Sequence, residues 1–388
     1  MGEQLLIMFV VVAGAAVVPI AARIMHIPSA VLEIVYGILV FNILIFRQPE
    51  WFSLLKELGL IYLMFIAGME LNLSTIMKRY RLFWYILIPL LSLLSMPLVF
   101  YFMGYPFYLG LAISMISAGI VIPVLKESGI IKTDLGNDII GIALAGELIS
   151  ILFLTAIDIY HKYGLTLMAG LQGVKLLLLM LLAAFFIRIL YVVAWWNPEK
   201  VTMVMESEDP IEEGMRGVIL VLFAGAVLTY SSGIEPFLGS FISGVIFAHV
   251  FKSKGRFEDK INAVGFGFFV PFFFIGVGAN FNIGLFSSFQ SIALSLFLTL
   301  MLFLSNIFPL IFSFFMKIKR LEALSICFIL SAPLSLLIVA GTIGERTLLI
   351  GAEMKDSLIL TALFSSVLFP FFFRLLGKRV MAHENPPS

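Results

Sequence analysis

The sequence contains few charged residues and a single cysteine. Its positive and negative charges nearly balance. Only 13% of its 388 residues are Asp, Glu, Lys or Arg, against about a quarter in a typical soluble domain. The net charge of +1 provides no basic face for nucleic acid, and the single Cys327 excludes an intrachain disulfide. These shortages exclude a soluble enzyme, a secreted disulfide scaffold and a nucleic-acid-binding protein.

Hydrophobic residues dominate instead, at 61% of the chain with a mean hydropathy of +1.09. Apolar runs of about 20 residues form helices in lipid, because a helix satisfies its own backbone hydrogen bonds there. The sequence therefore predicts an all-α polytopic membrane protein with about thirteen transmembrane helices. The predicted spans are 4–25, 28–46, 54–73, 82–103, 107–125, 135–160, 166–194, 216–231, 236–252, 261–281, 286–316, 320–346 and 353–377.

The orientation follows from Lys and Arg, which concentrate at alternate connections such as 252–260 and 317–320. Such connections are typical of the cytoplasmic side of a membrane protein. We therefore expect the N-terminus outside and the C-terminus in the cytoplasm. Residues 1–4 lack the basic region of a cleaved signal, so the first apolar run is expected to be a retained span.

The predicted spans divide as six, one and six, and an odd central helix makes the two sixes an inverted repeat, a plan common in secondary transporters. The predicted transmembrane domain covers 1–377. Its parts are a first repeat at about 1–160, a connecting helix at 166–194, a cytoplasmic linker at 197–215 and a second repeat at about 216–377, followed by a cytoplasmic tail at 378–388.

Two predicted spans, the fifth and the twelfth, combine Ser-Ala pairs with helix breakers. Gly and Pro interrupt helices and free backbone groups at membrane depth, where those groups need a partner or a passing ion. We expect each of the two spans to be a discontinuous helix. The residues concerned are Ser117, Gly119 and Pro123 in the fifth span, and Ser331, Pro333 and Ser335 in the twelfth.

The sixth predicted span carries a carboxylate, Glu147, in an apolar stretch twelve residues beyond Leu135, roughly 18 Å along a helix and near the bilayer middle. An ionised carboxylate there is costly unless a cation or hydrogen-bond donors neutralise it, and burial favours its protonated form. A group that is either protonated or cation-bound could exchange the two. A protonated Glu that merely bonds a neighbouring carbonyl is the structural alternative. Ser117, Gly119 and Ser150 complete the candidate ion and proton site.

The remaining ionisable residues have structural interpretations. We expect Glu33 to make structural hydrogen bonds, and Asp158 and Glu235 to be hydrated near the outer surface. No histidine is spaced as a metal ligand, and no Ser/His dyad or aspartate pair occurs at helix depth. The sequence therefore predicts no enzyme, no cofactor and no metal beyond a transported cation.

Four segments resemble the cation:proton antiporters of the sodium/hydrogen exchanger superfamily, in the branch with bacterial sodium/proton antiporters and potassium-efflux carriers. They are Pro28–Leu39, Glu57–Leu71, Gly233–Gly244 and Pro271–Gly278. The resemblance covers nearly all of 1–377 and implies a homodimer in a bacterial or archaeal inner membrane, with two crossed discontinuous helices in a mobile core domain. It also implies that Glu147 binds the ion or proton and that Ser117 matches a hydroxyl position on the discontinuous fifth span.

The sequence departs from this family at the basic residues that many relatives carry on the eleventh and twelfth spans. Ser305 and Asn306 stand near the first position, and Ala332–Ser335 at the second. One explanation is an electroneutral exchanger, in which one carboxylate takes one proton or one monovalent cation. The other explanation is that this subgroup of the family has lost or changed the coupling between cation and proton movement.

The resulting hypothesis is a secondary-active antiporter that exchanges a monovalent cation for protons by alternating access in membrane lipid. Oxygen ligands suit either Na+ or K+, and the short segment after the last predicted span favours Na+ over regulated K+ efflux. Two alternatives stay open: an ion-coupled organic-anion symporter on a related fold, and a non-transporting membrane sensor.

Overall fold

The computed structural model describes most of the chain, and all its regular elements in that part are helices. The described residues are 2–25, 27–44, 48–70, 81–130, 133–164, 166–168, 170–175, 178, 181, 185, 213–231, 235–250, 255–284 and 288–384.

Seventeen helices in these ranges follow the apolar runs of the sequence. The first nine are α1 (Gly2–Met25), α2 (Ser29–Ile38, continued by a π-helical turn at Leu39–Ile43), α3 (Glu50–Glu70), α4 (Leu82–Phe102), α5 (Phe107–Ile113), α6 (Val121–Glu127), α7 (Asp134–Tyr163), α8 (Glu213–Ser231) and α9 (Pro236–Val250). The others are α10 (Gly255–Val264, continued by a π-helical turn at Gly265–Phe269), α11 (Val270–Ala279), α12 (Phe289–Ser305), α13 (Phe308–Ile311), α14 (Ser313–Met316), α15 (Arg320–Leu330), α16 (Leu334–Arg346) and α17 (Ala352–Glu384).

Seven helices of the described part are long and apolar enough to cross a membrane, and the bent pair α15 and α16 would make an eighth. Shorter apolar helices stand at the predicted second, eighth and ninth spans. The predicted connecting helix 166–194 lies mostly outside the described residues, as does the linker 197–215. The count of thirteen and the six-one-six division therefore stay predictions.

Both spans expected to be discontinuous are interrupted. In the fifth, residues 114–120 separate α5 from α6. Pro123 lies within α6, so the break precedes this proline instead of including it. A proline is tolerated in the first turn because backbone N–H groups there have no intrahelical acceptor. In the twelfth, residues 331–333 separate α15 from α16, and the two helices differ in direction by 44°.

The chain forms two compact units, each made of two segments. Unit 1 comprises 1–72 and 155–281, and unit 2 comprises 73–154 and 282–388. Each unit thus contains parts of both predicted repeats. Both interrupted helices and Glu147 belong to unit 2, so the candidate site lies within one unit.

In unit 1, α2 and α11 pack with their backbones in direct contact. A Cβ atom on Gly278 would lie 2.8 Å from the backbone nitrogen of Ile38, and one on Gly37 would lie 2.8 Å from the carbonyl carbon of Ile275. Small residues at such positions let membrane helices approach closely, which provides van der Waals contact where the hydrophobic effect is weak. The Pro28–Leu39 and Pro271–Gly278 segments therefore carry a packing constraint.

We predict that Gly278→Ala destabilises the protein, because the added methyl group must push α11 away from α2. The expected loss is about 1–3 kcal/mol, as for other overpacked interiors, and it would be seen as a lower Tm of the purified protein in detergent. Gly217→Ala on α8 is the matched control, since a Cβ there meets nothing within 4 Å. Equal Tm values for the two variants would contradict this account of the packing.

Candidate functional site

The candidate site forms where α7 passes the interruption between α5 and α6. Glu147 of α7 is fully buried. The Ser117 hydroxyl donates a hydrogen bond to Oε1 of Glu147 at 3.1 Å, and the backbone N–H of Ala118 donates to Oε2 at 3.3 Å. Both carboxyl oxygens therefore accept hydrogen bonds from non-helical chain.

The interruption frees backbone N–H groups that an intact helix would have paired. The N–H of Ile116 donates to Oγ of Ser150 at 3.2 Å. Ser150 follows Glu147 by three residues on α7, so both side chains lie on the same helix face. The N–H of Gly119 lies 3.4 Å from the Ser117 hydroxyl, which accepts its hydrogen bond. Thus Glu147 and Ser150 pair two of the freed amides, and Ser117 pairs a third.

The second interrupted helix reaches the same place through Ser335. This residue lies in the first turn of α16, and its hydroxyl lies 3.4 Å from that of Ser117. Ser331, at the end of α15, is directed elsewhere: its hydroxyl donates to the carbonyls of Cys327 at 2.7 Å and Leu302 at 3.4 Å. The structure thus brings Ser335 to Glu147 through Ser117, whereas Ser331 contacts α12.

The absence of a side chain at Gly146 allows this approach. A Cβ atom there would lie 2.8 Å from Cβ of Ile116, too close for an unstrained contact. Gly119 is different, because a Cβ atom there would meet the hydroxyls of Ser335 and Ser117 at 3.5 and 3.7 Å, which are ordinary contacts. The close approach of α7 to the interrupted chain therefore depends on Gly146.

Ser305 and Asn306, which stand near the position of the missing basic partner, lie at the end of α12 and are fully buried. The Ser305 hydroxyl donates to the carbonyls of Leu302 at 2.7 Å and Ile113 at 3.3 Å. The Ser305 carbonyl accepts from the hydroxyl of Ser92 at 2.6 Å. These neutral groups therefore connect α12 to the end of α5 and to α4.

Asp138 is a residue that the sequence reasoning did not single out. It is 2% exposed, pairs with the guanidinium of Arg81 and accepts a hydrogen bond from the Tyr85 hydroxyl at 2.8 Å. The available signal was a second carboxylate nine residues before Glu147 on the same predicted span. This network fixes the first part of α7 within unit 2.

The expectation that Asp158 and Glu235 are hydrated was wrong. Their residues are 1% and 5% exposed, and Lys162 Nζ lies 2.7 Å from Asp158 Oδ2 and 2.9 Å from Glu235 Oε1. The ammonium group partly compensates the charge of two buried carboxylates. Glu33, at 3% exposed, is also buried in unit 1.

The chemistry available around Glu147 consists of one carboxyl group, two hydroxyls and a backbone amide. Such oxygens can hold a proton or a hard cation. Within the described ranges, no group of three or more His, Cys, Asp or Glu residues could bind a metal ion. The oxygens around Glu147 therefore suit one proton or one monovalent cation.

We predict that Ser150→Ala lowers stability by about 1–3 kcal/mol, because it leaves the buried N–H of Ile116 without its acceptor. The measurement is thermal unfolding of purified protein in detergent. Ser366→Ala is the matched control: Ser366 is also fully buried, but among the described residues its hydroxyl bonds only the carbonyl of Leu363 in its own helix. A Ser150→Ala variant as stable as Ser366→Ala would show that the interruption does not need this contact.

The sequence matches a family model described as "Sodium/hydrogen exchanger, transmembrane" over residues 9–378. It is 28% identical over 379 residues to YjbQ of Bacillus subtilis, provisionally named an Na+/H+ antiporter, with 92% of this chain covered. The chain spans 60% of the length of that relative. It is 24% identical over 343 residues to an Na+/H+ antiporter of Enterococcus hirae, with 84% of this chain and 85% of that protein covered.

The fold is similar to a solved structure, that of the sodium proton antiporter MjNhaP1 from Methanocaldococcus jannaschii at pH 8. The TM-score is 0.67, and the match covers 98% of this chain and 100% of that one. Since the sequence identity is 16%, the likeness concerns the fold. It confirms the predicted all-α, sodium/proton antiporter-like architecture.

Proposed function

Because the chain belongs to the sodium/hydrogen exchanger family, we propose that it is a secondary-active antiporter exchanging a monovalent cation for protons across a cell membrane. The observation that carries this proposal is Glu147, a fully buried carboxyl group whose two oxygens accept hydrogen bonds from Ser117 and Ala118. We assign to Glu147 the role of carrying the proton and the cation in turn.

The energetics of burial support this role. An ionised carboxylate in an apolar interior is unfavourable, and a proton or a bound cation relieves that cost. The Ser117 hydroxyl and the Ala118 N–H stabilise the anion, but two neutral donors do not neutralise its charge. The carboxyl group therefore holds one of two ligands, and the binding of one expels the other.

Burial also supports alternating access. Glu147 has no exposed surface, so neither ligand enters or leaves without a conformational change that hydrates the carboxyl group. Ser117, in the chain between α5 and α6, contacts both Glu147 of α7 and Ser335 of α16. These three parts of the chain therefore meet at Ser117. A small shift of any of these would change the hydrogen bonds of the carboxyl group.

The proposed cation is Na+, with K+ as the alternative, since the relatives described above are named Na+/H+ antiporters and oxygen ligands accept either ion. The proposed exchange is electroneutral, because one carboxyl group trades one positive charge for another. We further propose a homodimer with its N-terminus outside and its C-terminus in the cytoplasm, as the resemblance and the charge distribution suggest.

We predict that Glu147→Gln abolishes cation-driven proton movement, because an amide can neither release a proton nor supply a negative charge to a cation. The measurement is pH inside proteoliposomes after a Na+ or K+ gradient is imposed, with the membrane potential clamped. Wild-type protein should acidify or alkalinise the lumen according to the direction of the gradient.

Glu33→Gln is the matched control, because Glu33 is another buried carboxyl group, located in unit 1. This variant should retain exchange. Full activity of Glu147→Gln would overturn the assignment of the carrier group. Folded wild-type protein that moves no protons with either cation would instead favour the anion symporter or the sensor.

We also predict that the KM for the cation rises as the pH is lowered, because protons and cations compete for one carboxyl group. The rate at saturating cation should change less than KM. The same assay, run over a series of pH values and clamp potentials, separates these effects. A KM independent of pH would argue against a shared site, and a rate that depends on the clamp potential would argue against electroneutral exchange.

A further inference from the structure

Three helices of unit 2 end at a buried junction whose joining hydrogen bonds do not include the carboxyl group of Glu147. They are α5, α12 and α15, which end at Ile113, Ser305 and Leu330. The Ser305 hydroxyl donates to the carbonyl of Ile113 at 3.3 Å, which joins α12 to α5. The Ser331 hydroxyl donates to the carbonyl of Leu302 at 3.4 Å, which joins the end of α15 to the last turn of α12.

The C-terminal ends of helices carry partial negative charge, because their last carbonyl groups have no intrahelical donor and the peptide dipoles add along the helix. The helix α12 has 17 residues and α15 has 11, while α5 has seven and contributes least. All side chains in the hydrogen bonds that join these ends are neutral. The junction is therefore electronegative and attracts a positive charge.

Asn306 provides an independent sign of a ligand at this junction. It is fully buried, and its Nδ2 donates to the Leu302 carbonyl at 3.1 Å and to the Ser305 hydroxyl at 3.2 Å. Its Oδ1 is buried and has no hydrogen-bond partner among the described residues. Buried side-chain oxygens without a partner are rare in folded proteins, so this atom calls for one.

We propose that Asn306 Oδ1 binds a monovalent cation at this junction, together with carbonyl and hydroxyl oxygens of Ile113, Ser305 and Ser331. All these ligands are neutral oxygens, whereas protein sites for divalent cations rely on carboxylates. Helix C-terminal ends and carbonyls of unwound segments are suitable ligands for Na+ in membrane proteins. A cation here would connect the first halves of both interrupted helices to α12.

This cation differs in role from the transported one. The hydrogen bonds of Glu147 go to Ser117 and Ala118, and none of them involves the atoms of the junction. The bound ion would compensate the negative helix ends and hold the interrupted helices in place, whereas the ion at Glu147 must leave in each cycle. Binding to the folded state alone would appear as stabilisation that depends on cation concentration.

The test uses the purified full-length Glu147→Gln protein in detergent, because that variant lacks the proposed transport carboxylate. Its Tm is measured against increasing NaCl or KCl, with choline chloride holding the ionic strength and pH constant. We expect a saturable upward shift of Tm with one or both cations. A shift present in wild type but absent in Glu147→Gln would belong to the transport site and would overturn the second site.

Three substitutions at residue 306 in the same background locate the effect. Asn306→Leu should lose the cation-dependent shift, and Asn306→Asp should reach half of the shift at a lower cation concentration. Asn306→Lys should give a Tm that no longer depends on the cation, because its ammonium group takes the place of the ion. Asn42→Leu is the control for loss of an amide, since Asn42 bonds the Gly278 carbonyl in unit 1.

Two further outcomes would overturn the proposed cation site at Asn306. No shift with either cation would mean that an ordered water satisfies Asn306, and the proposal would fail. A shift that persists in both Asn306→Leu and Asn306→Lys would place the cation elsewhere and overturn it too. If Asn306→Leu does not fold, the comparison of Asn306→Lys with Asn306→Asp still distinguishes a site at this residue from one elsewhere. None of these results depends on whether Glu147 carries protons.

Discussion

The structure depends on hydrogen bonds between a buried carboxyl group, Glu147, and the interrupted helix beside it in unit 2. The interruption leaves backbone N–H groups without helical acceptors, while burial leaves Glu147 without water. The freed N–H of Ala118 and the hydroxyl of Ser117 both donate to Glu147, at 3.3 and 3.1 Å, so the amide gains an acceptor and the carboxyl group gains two donors. They compensate the negative charge only in part, and this incomplete compensation is what would make a proton or a cation a required ligand.

The surrounding packing maintains this arrangement. Gly146 lets α7 approach Ile116, and Ser150 accepts the hydrogen bond from the Ile116 N–H, so the helix and the interrupted chain are held in register. Asp138 fixes the earlier part of α7 through Arg81 and Tyr85. A carboxyl group held so firmly cannot reach water by a side-chain rotation alone. Under the proposed function, exchange at Glu147 would therefore require movement of whole helices, as in alternating access.

Hydropathy predicted the all-α membrane class well, because lipid imposes long apolar runs. The orientation drawn from the bias in Lys and Arg stays a prediction. The family resemblance is confirmed by the match over 9–378. Glu147 and Ser117 could be singled out because each is polar in an apolar stretch, and the structure places them together. Their roles in transport stay predictions.

Contacts between distant parts of the chain could not be predicted from the sequence. Hydropathy shows that a residue is near lipid but not which residue it meets. Lys162 and Glu235 pair across 73 residues, so the burial of Glu235 and Asp158 went unpredicted. Similarly, the composition around Pro123 indicated an interruption, but only the backbone shows that the break precedes the proline. No sequence pattern indicates that the backbone N–H of Ile116 is left without a helical acceptor.

The central claim is that one carboxyl group binds the proton and the cation in turn. Its most direct test is the number of protons released when Na+ or K+ is added to purified protein in weakly buffered detergent solution, read with a pH indicator. The account predicts up to one proton released per cation bound at a pH where the group is protonated, and no such release from Glu147→Gln. Saturable cation binding at the transport site without proton release at any pH would contradict it.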